Sequence, residues 1–171
     1  MKKITFKNGQ APYVSDTNLN QMQDNIEEDI NLTRNFMILN MTSDYHIKAT
    51  KTPETLPLNK IEASNGSKLT LSGNAIKIGS GVKYVKISAN AYFYEGTCAG
   101  LKVTSIYKND KEIVNVNVNA NNSGGYLHMP IPSKIISVTE GDLIKLMIQG
   151  EVEDRIRNYP QGTFLCVEVV D

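Results

Sequence analysis

Residues 83–94 read Lys83-Tyr84-Val85-Lys86-Ile87-Ser88-Ala89-Asn90-Ala91-Tyr92-Phe93-Tyr94, a run that alternates with period two. Val85, Ile87, Ala89, Ala91 and Phe93 take one face and Tyr84, Lys86, Ser88, Asn90, Tyr92 and Tyr94 the other, the pattern of a long strand with one face turned to a core. The same alternation returns downstream. Val114, Val116, Val118 and Ala120 oppose Asn115, Asn117 and Asn119, and Ile144, Leu146 and Ile148 oppose Leu143, Lys145, Met147 and Gln149. Asn65-Gly66, Gly79-Ser80-Gly81, Asn109-Asp110 and Glu140-Gly141-Asp142 punctuate these runs as turns. From Ile61 onward the chain therefore reads as an antiparallel β-sandwich.

Upstream the period is helical. Gly9 and Pro12 keep the first residues extended, Asp16 can accept the orphan N–H groups of a helix starting at Thr17, and Leu19, Met22, Ile26 and Ile30 follow at three- and four-residue spacing. The stripe is narrow and its surroundings polar, so this helix calls for partners, and self-association would supply them. The apolar run Phe36-Met37-Ile38-Leu39 is read as its continuation, ended by Thr42, Ser43 and Asp44. Two parts result: an arm and helix over residues 1–44, for attachment and trimerisation, and a sandwich head over 45–171. The crossing between them carries Pro53 and Pro57 and reads as irregular.

Composition narrows the function classes. Eighteen basic residues balance eighteen acidic ones, with no basic segment that would track a phosphate backbone, which argues against nucleic-acid binding. No apolar stretch approaches a membrane span, and Met1-Lys2-Lys3 is not followed by a signal-like apolar run. Cys98 and Cys166 lie far apart without metal-ligand spacing, His46 and His128 are isolated, and no nucleophile elbow, zinc motif or phosphate loop occurs. No catalytic residue, metal site or cofactor is assigned. Glu151, Glu153 and Asp154 carry oxygens suited to Ca²⁺, and a solvated loop is the simpler reading.

The segment KNGQAPYVSDTNLNQMQDNI, residues 7–26, resembles the N-terminal segment of tail-tip and baseplate proteins from bacteriophages of Gram-positive bacteria. In those proteins an A-P-Y-(I/V)-(S/N) turn and a polar helix precede a variable body. A second resemblance lies in the order of Lys83–Tyr94, Leu101–Asn109, Val138–Leu146 and Thr163–Val167, which looks like the globular head of C1q and tumour necrosis factor proteins. Asn109-Asp110 stands where that family favours Asn-Gly, and the chain has no collagen repeat.

Together the resemblances imply a trimeric jelly roll on a virion, made in the host cytoplasm. The expected trimer contacts are Leu19, Met22 and Ile26 on the helix and Tyr84, Tyr92, Tyr94, Leu143 and Met147 on one surface of the head. Successive antiparallel strands send alternate connections to opposite ends, so 95–100, 119–125 and 149–162 should meet at one end and the tight turns at the other. The long-loop end is the expected ligand surface, through Glu95, Thr97, Asn121, Asn122, Ser123, Tyr126, Arg155, Arg157, Asn158 and Tyr159, a mixture suited to a host glycan or surface protein. Expected partners are two further copies of the chain, other baseplate or tail proteins at the N-terminal segment, and that host receptor. Two alternatives stay open: a baseplate or fibre module with no receptor contact, and an enzyme that cuts cell-wall polysaccharide, for which no acid, base or nucleophile is placed.

Overall fold

The computed structural model describes Asn20, Gln23 and residues 34–94, 99–121, 125–159 and 162–170. The chain divides into two units, Met1–Arg34 and Asn35–Asp171. In the first, only Asn20 and Gln23 are described, both in helical conformation; the rest of the expected helix, with Leu19, Met22 and Ile26, lies outside the described residues.

The second unit is a two-layer antiparallel sandwich. Among the described residues the first sheet has seven strands, built on β1 (Phe36–Asn40), β4 (Lys60–Asn65), β7 (Tyr84–Tyr94), β10 (Tyr126–Ser137) and β13 (Phe164–Val169) in the spatial order β10-β7-β13-β1-β4. Two short strands, β2 (Tyr45–Ile47) and β12 (Asp154–Ile156), extend it where Ile156 pairs with Phe93. The second sheet has six: β5 (Leu69–Ser72), β6 (Ala75–Ile78), β11 (Leu143–Gly150), β8 (Ala99–Lys108) and β9 (Lys111–Asn121) in that order, with β3 (Glu54–Thr55) against β11. From β7 to β13 the chain passes repeatedly between the layers, the connectivity of a jelly roll.

The period-two readings hold residue by residue. Val85, Ile87, Ala89, Ala91 and Phe93 are buried along β7, as are Ile144, Leu146 and Ile148 along β11, and these rows face each other across the core with Leu39, Ile76, Ile78, Ile106, Met129, Leu165 and Val167. Asn115, Asn117 and Asn119 are exposed on β9. At Asn109-Asp110 the hairpin joining β8 to β9 takes Asn109 through a positive φ of 55°, a conformation asparagine tolerates better than most side chains.

Two expectations change. Phe36–Leu39 does not continue a helix: β1 pairs with β13 on one side and β4 on the other, with Met37 and Leu39 buried. Four apolar residues fit either period, and here the partnerless edge of β13 decides, since a strand satisfies its backbone groups and a helix would not. The sandwich therefore begins at Asn35, ahead of the expected boundary at residue 45. The crossing with Pro53 and Pro57 is mostly irregular, yet Leu56 and Leu58 are fully buried and Leu56 N–H donates to Leu146 O at 2.9 Å. The segment lies against β11 and plugs the core.

Both chain limits of the head sit at one end. Asn35 and Val169 are joined by a 2.8 Å hydrogen bond from Val169 N–H, and the turns 109–110 and 139–142 share that end. The connections after β7, β9 and β11 leave at the other, because Tyr94 pairs with Tyr126, Ala99 with Asn121 and Gly150 with Lys102.

Candidate functional site at the loop end

An aromatic ladder runs along the outer face of the first sheet toward the long loops. The β7–β10 register sets Tyr94 opposite Tyr126 and Tyr92 opposite His128, and directly opposed side chains point to the same face. Their rings stack: Tyr92 on His128 with centroids 4.2 Å apart, Tyr94 on Tyr126 at 5.4 Å, and Tyr92 on Tyr126 at 5.7 Å. Each such pair contributes about 0.5–1.5 kcal/mol beyond its buried area. Arg157 closes the series, its guanidinium 4.3 Å from the Tyr94 ring centroid.

Beneath the ladder Asn90 Nδ2 lies 3.2 Å from His128 Nδ1 and donates to Gly162 O. The segment after β12 is held just as closely. Arg157 N–H donates to Tyr92 O at 2.9 Å, Thr163 Oγ1 donates to Arg157 O at 2.9 Å, and Tyr92 N–H donates to Thr163 Oγ1 at 3.1 Å. Tyr159 N–H donates to Arg157 O at 3.0 Å, which turns the Tyr159 ring outward, 52 % exposed. Tyr92, Arg157 and Tyr159 line an open cleft of about 340 Å³.

A buried ion pair underlies this end. Lys102 on β8 and Asp154 on β12 belong to opposite sheets, and Lys102 Nζ stands 2.8 Å from Asp154 Oδ2 with both side chains fully buried. Apart from each other neither atom has a hydrogen-bond partner among the described residues; Asp154 Oδ1 accepts from Arg155 N–H at 2.7 Å, and the ammonium lies 5.8 Å from the Phe93 ring centroid. Nearby, Tyr45 O–H donates to Glu54 Oε2 at 2.7 Å, tying β2 to β3. Burial and then the Glu54 carboxylate push the Tyr45 phenol up to about 12.

The expected ligand residues separate into three groups. Tyr126 and Arg157 join through Tyr94, and Tyr159 shares the cleft. Asn158 N–H is engaged by Asp44 Oδ1 at 2.7 Å, and Arg155, half-buried, sits opposite His46 where β12 pairs with β2. Glu95, Thr97, Asn122 and Ser123 lie outside the described residues, and Asn121 is placed only by its backbone pairing with Ala99. Glu151, Glu153 and Asp154 do not converge: Glu151 accepts from Leu101 N–H at 3.0 Å and faces Lys51 at 3.5 Å, while Asp154 is sealed against Lys102. The Leu101 hydrogen bond and the Lys51 charge hold the Glu151 carboxyl below its usual range. Among the described residues no group of three acidic, histidine or cysteine side chains could hold a metal.

The expected trimer surface also divides. Tyr84, Tyr92 and Tyr94 share the outer face of the first sheet, whereas Leu143 and Met147 lie on β11 in the second, on the opposite side of the sandwich. Alternation places a residue on the inner or outer face of its own sheet but does not say which sheet, and a jelly roll alternates sheets along the chain. Met147 is moreover covered by β3, whose Thr55 Oγ1 lies 3.1 Å from its sulfur. On the first sheet Tyr126 and Ile135 of β10 join Tyr84, being 64 %, 61 % and 50 % exposed. His128, isolated in the sequence, was findable only through the strand register. Cys166 is half-buried, and burial pushes its thiol up, consistent with an idle cysteine; Cys98 lies outside the described residues.

The class these features define is the TNF/C1q-like jelly roll. Solved structures bear this out at low identity: murine APRIL at TM-score 0.64 with 11 % identity, covering 80 % of this chain and 99 % of that one. The Eiger TNF of S. frugiperda matches at 0.62 with 6 % identity, covering 81 % and 92 %. The PRD1 vertex protein P5, from a phage, matches at 0.55 with 15 % identity, covering 82 % and 99 %. No protein-family model matches the sequence, and no curated protein does. At these identities the likeness is one of fold.

Proposed function

We propose that the chain is a homotrimeric bacteriophage tail-tip or baseplate protein, attached to the virion by its N-terminal segment and contacting a host-envelope glycan or surface protein with the loop end of its head. The observation that carries this reading is polarity: Asn35 and Val169 are bonded to each other at the turn end, while the long connections gather at the opposite end with Tyr126, Arg157 and Tyr159. A head joined to its stem at one end presents the other outward. The resemblance of residues 7–26 to phage tail-tip segments supplies the virion, and the likeness to a phage vertex protein agrees with it. Tyr84, Tyr126 and Ile135, exposed on one sheet face, support association between copies through that face, with the helix bearing Leu19, Met22 and Ile26 as the second contact. Three heads would multiply weak receptor contacts by avidity.

Two measurements test the reading. Mass in solution should be that of three chains, and a particle of one or two chains removes the trimer. Purified protein should bind intact host cells, with binding abolished when 95–98 and 122–124 are exchanged for Gly/Ser linkers of equal length and Tyr159 is changed to Ala, changes that leave β12 and the Lys102–Asp154 pair in place. A vertex position is a structural one, so the PRD1 likeness favours a second reading, a baseplate module without receptor contact. That reading predicts a trimer that binds neither cells nor cell-wall fragments.

A further inference from the structure

We infer that the cleft lined by Tyr92, Arg157 and Tyr159 takes an acidic saccharide, with the sugar ring against tyrosine and its carboxylate or phosphate on the Arg157 guanidinium. The inference rests on the receptor-binding reading above, because it names the ligand chemistry of that same loop end.

Arg157 sets the charge. Its guanidinium carbon lies over the Tyr94 ring, 4.3 Å from the centroid, and among the described residues it forms no salt bridge. The ring contact holds the guanidinium in place, and its N–H donors match two oxygens of one carboxylate or phosphate. Its backbone is pinned as well, through Tyr92 O and Thr163 Oγ1, so little ordering remains to be done when a ligand arrives.

The walls set the rest. Among the described residues the lining is two phenol rings and the guanidinium, with no aliphatic side chain, and about 340 Å³ is at the small end of the roughly 300–1,000 Å³ of ligand sites. A pyranose offers an apolar C–H face to a ring and hydroxyls to phenol O–H groups, whereas an aliphatic peptide side chain would find no matching wall. The cleft lies on the flank of β7 that meets β12, and Tyr126 of β10 reaches it through its stack on Tyr92, while Ile135 stands farther along β10.

The test titrates the full-length protein with glucuronate, glucose 1-phosphate and neutral glucose at matched ionic strength, following tyrosine ring signals by NMR. At least one anion should bind tenfold or more tightly than glucose, and the stronger one identifies the acid group. Arg157→Gln should abolish that preference while leaving the oligomeric mass unchanged; should it fail to fold, Arg157→Lys, which keeps the charge but not the planar fork, should weaken the anion several-fold. Tyr159→Ala should weaken all three sugars alike. Equal binding of glucose and both anions, or an Arg157 variant that binds them like the parent, overturns the inference. So does N-acetylglutamate amide binding as tightly as the acidic sugars, since the site would then read charge and not a sugar. None of these readouts uses host cells, so the cleft can fail while host binding persists, and the reverse.

Discussion

The two ends of the sandwich are closed by different means. At the turn end Asn109 and Asp142 cross-brace adjacent turns through ordinary, partly exposed hydrogen bonds: Asn109 Nδ2 donates to Asp142 Oδ1, Leu143 N–H to Asn109 Oδ1, and Thr139 N–H to Asp142 Oδ2, each at 2.9 Å. At the loop end the sheets are tied by Lys102 and Asp154, fully buried beneath the aromatic ladder. Tight turns leave few backbone groups to satisfy and need only local bracing. Long connections leave the sheets free to splay, and a charge pair that tolerates one geometry holds them in register.

The largest effect should come from breaking the loop-end tie. Asp154→Ala strands a buried ammonium and should cost about 3–5 kcal/mol in urea unfolding, whereas the double change Lys102→Met with Asp154→Leu should return to within about 1 kcal/mol of the parent or exceed it. A double variant as damaged as the single one would mean the pair contributes more than charge balance. Asp142→Ala should cost less, about 1–3 kcal/mol, because part of what it leaves unpaired can turn to water.

Titration separates the ends without mutation. At Asp142 burial pushes the carboxyl up, but the Asn109 and Thr139 hydrogen bonds and Lys108 outweigh it, so its folded value lies below the unfolded one. Its contribution is therefore complete above about pH 4 and lost as pH falls through the folded value. Tyr45 runs the other way: raised from 10.0 to about 12, its contribution is complete below pH 10 and lost as pH rises through about 12. Hydrogen exchange should show the 139–143 amides opening first in acid and those of Tyr45–Ile47 first in alkali; the reverse order would dissolve the contrast. The smallest effect is expected from Arg157→Ala, about 0.5–1 kcal/mol for a surface cation stacked on one ring.

Much of this was legible from the residues. The alternation in 83–94, 113–120 and 143–149 assigns strands and core faces, and the parity of antiparallel connections puts the long loops at one end before any coordinate is seen. Phe36–Leu39 was not, because a four-residue apolar run has no period of its own and only the exposed edge of β13 makes it a strand. Nor was the placement of Leu143 and Met147, since periodicity is blind to which sheet a strand joins. Lys102 and Asp154 are fifty-two positions apart, and Asp154 reads as part of a solvated loop, so nothing in the sequence pairs them. Of the candidate site, Tyr126, Arg157 and Tyr159 were picked out by loop composition, while the places of His128 and of Arg155, opposite His46, depend on register.

The bond between Val169 and Asn35 also gives the head a mechanical character. β1 enters at the turn end, runs toward the loop end, and is paired along both edges, with β13 and β4. A pull arriving through Arg34 while the loop end is held would act along the strand axis, so the ladder bonds on both flanks would share the load in shear and not open one at a time. Unravelling the head from that side would require both ladders to give way together.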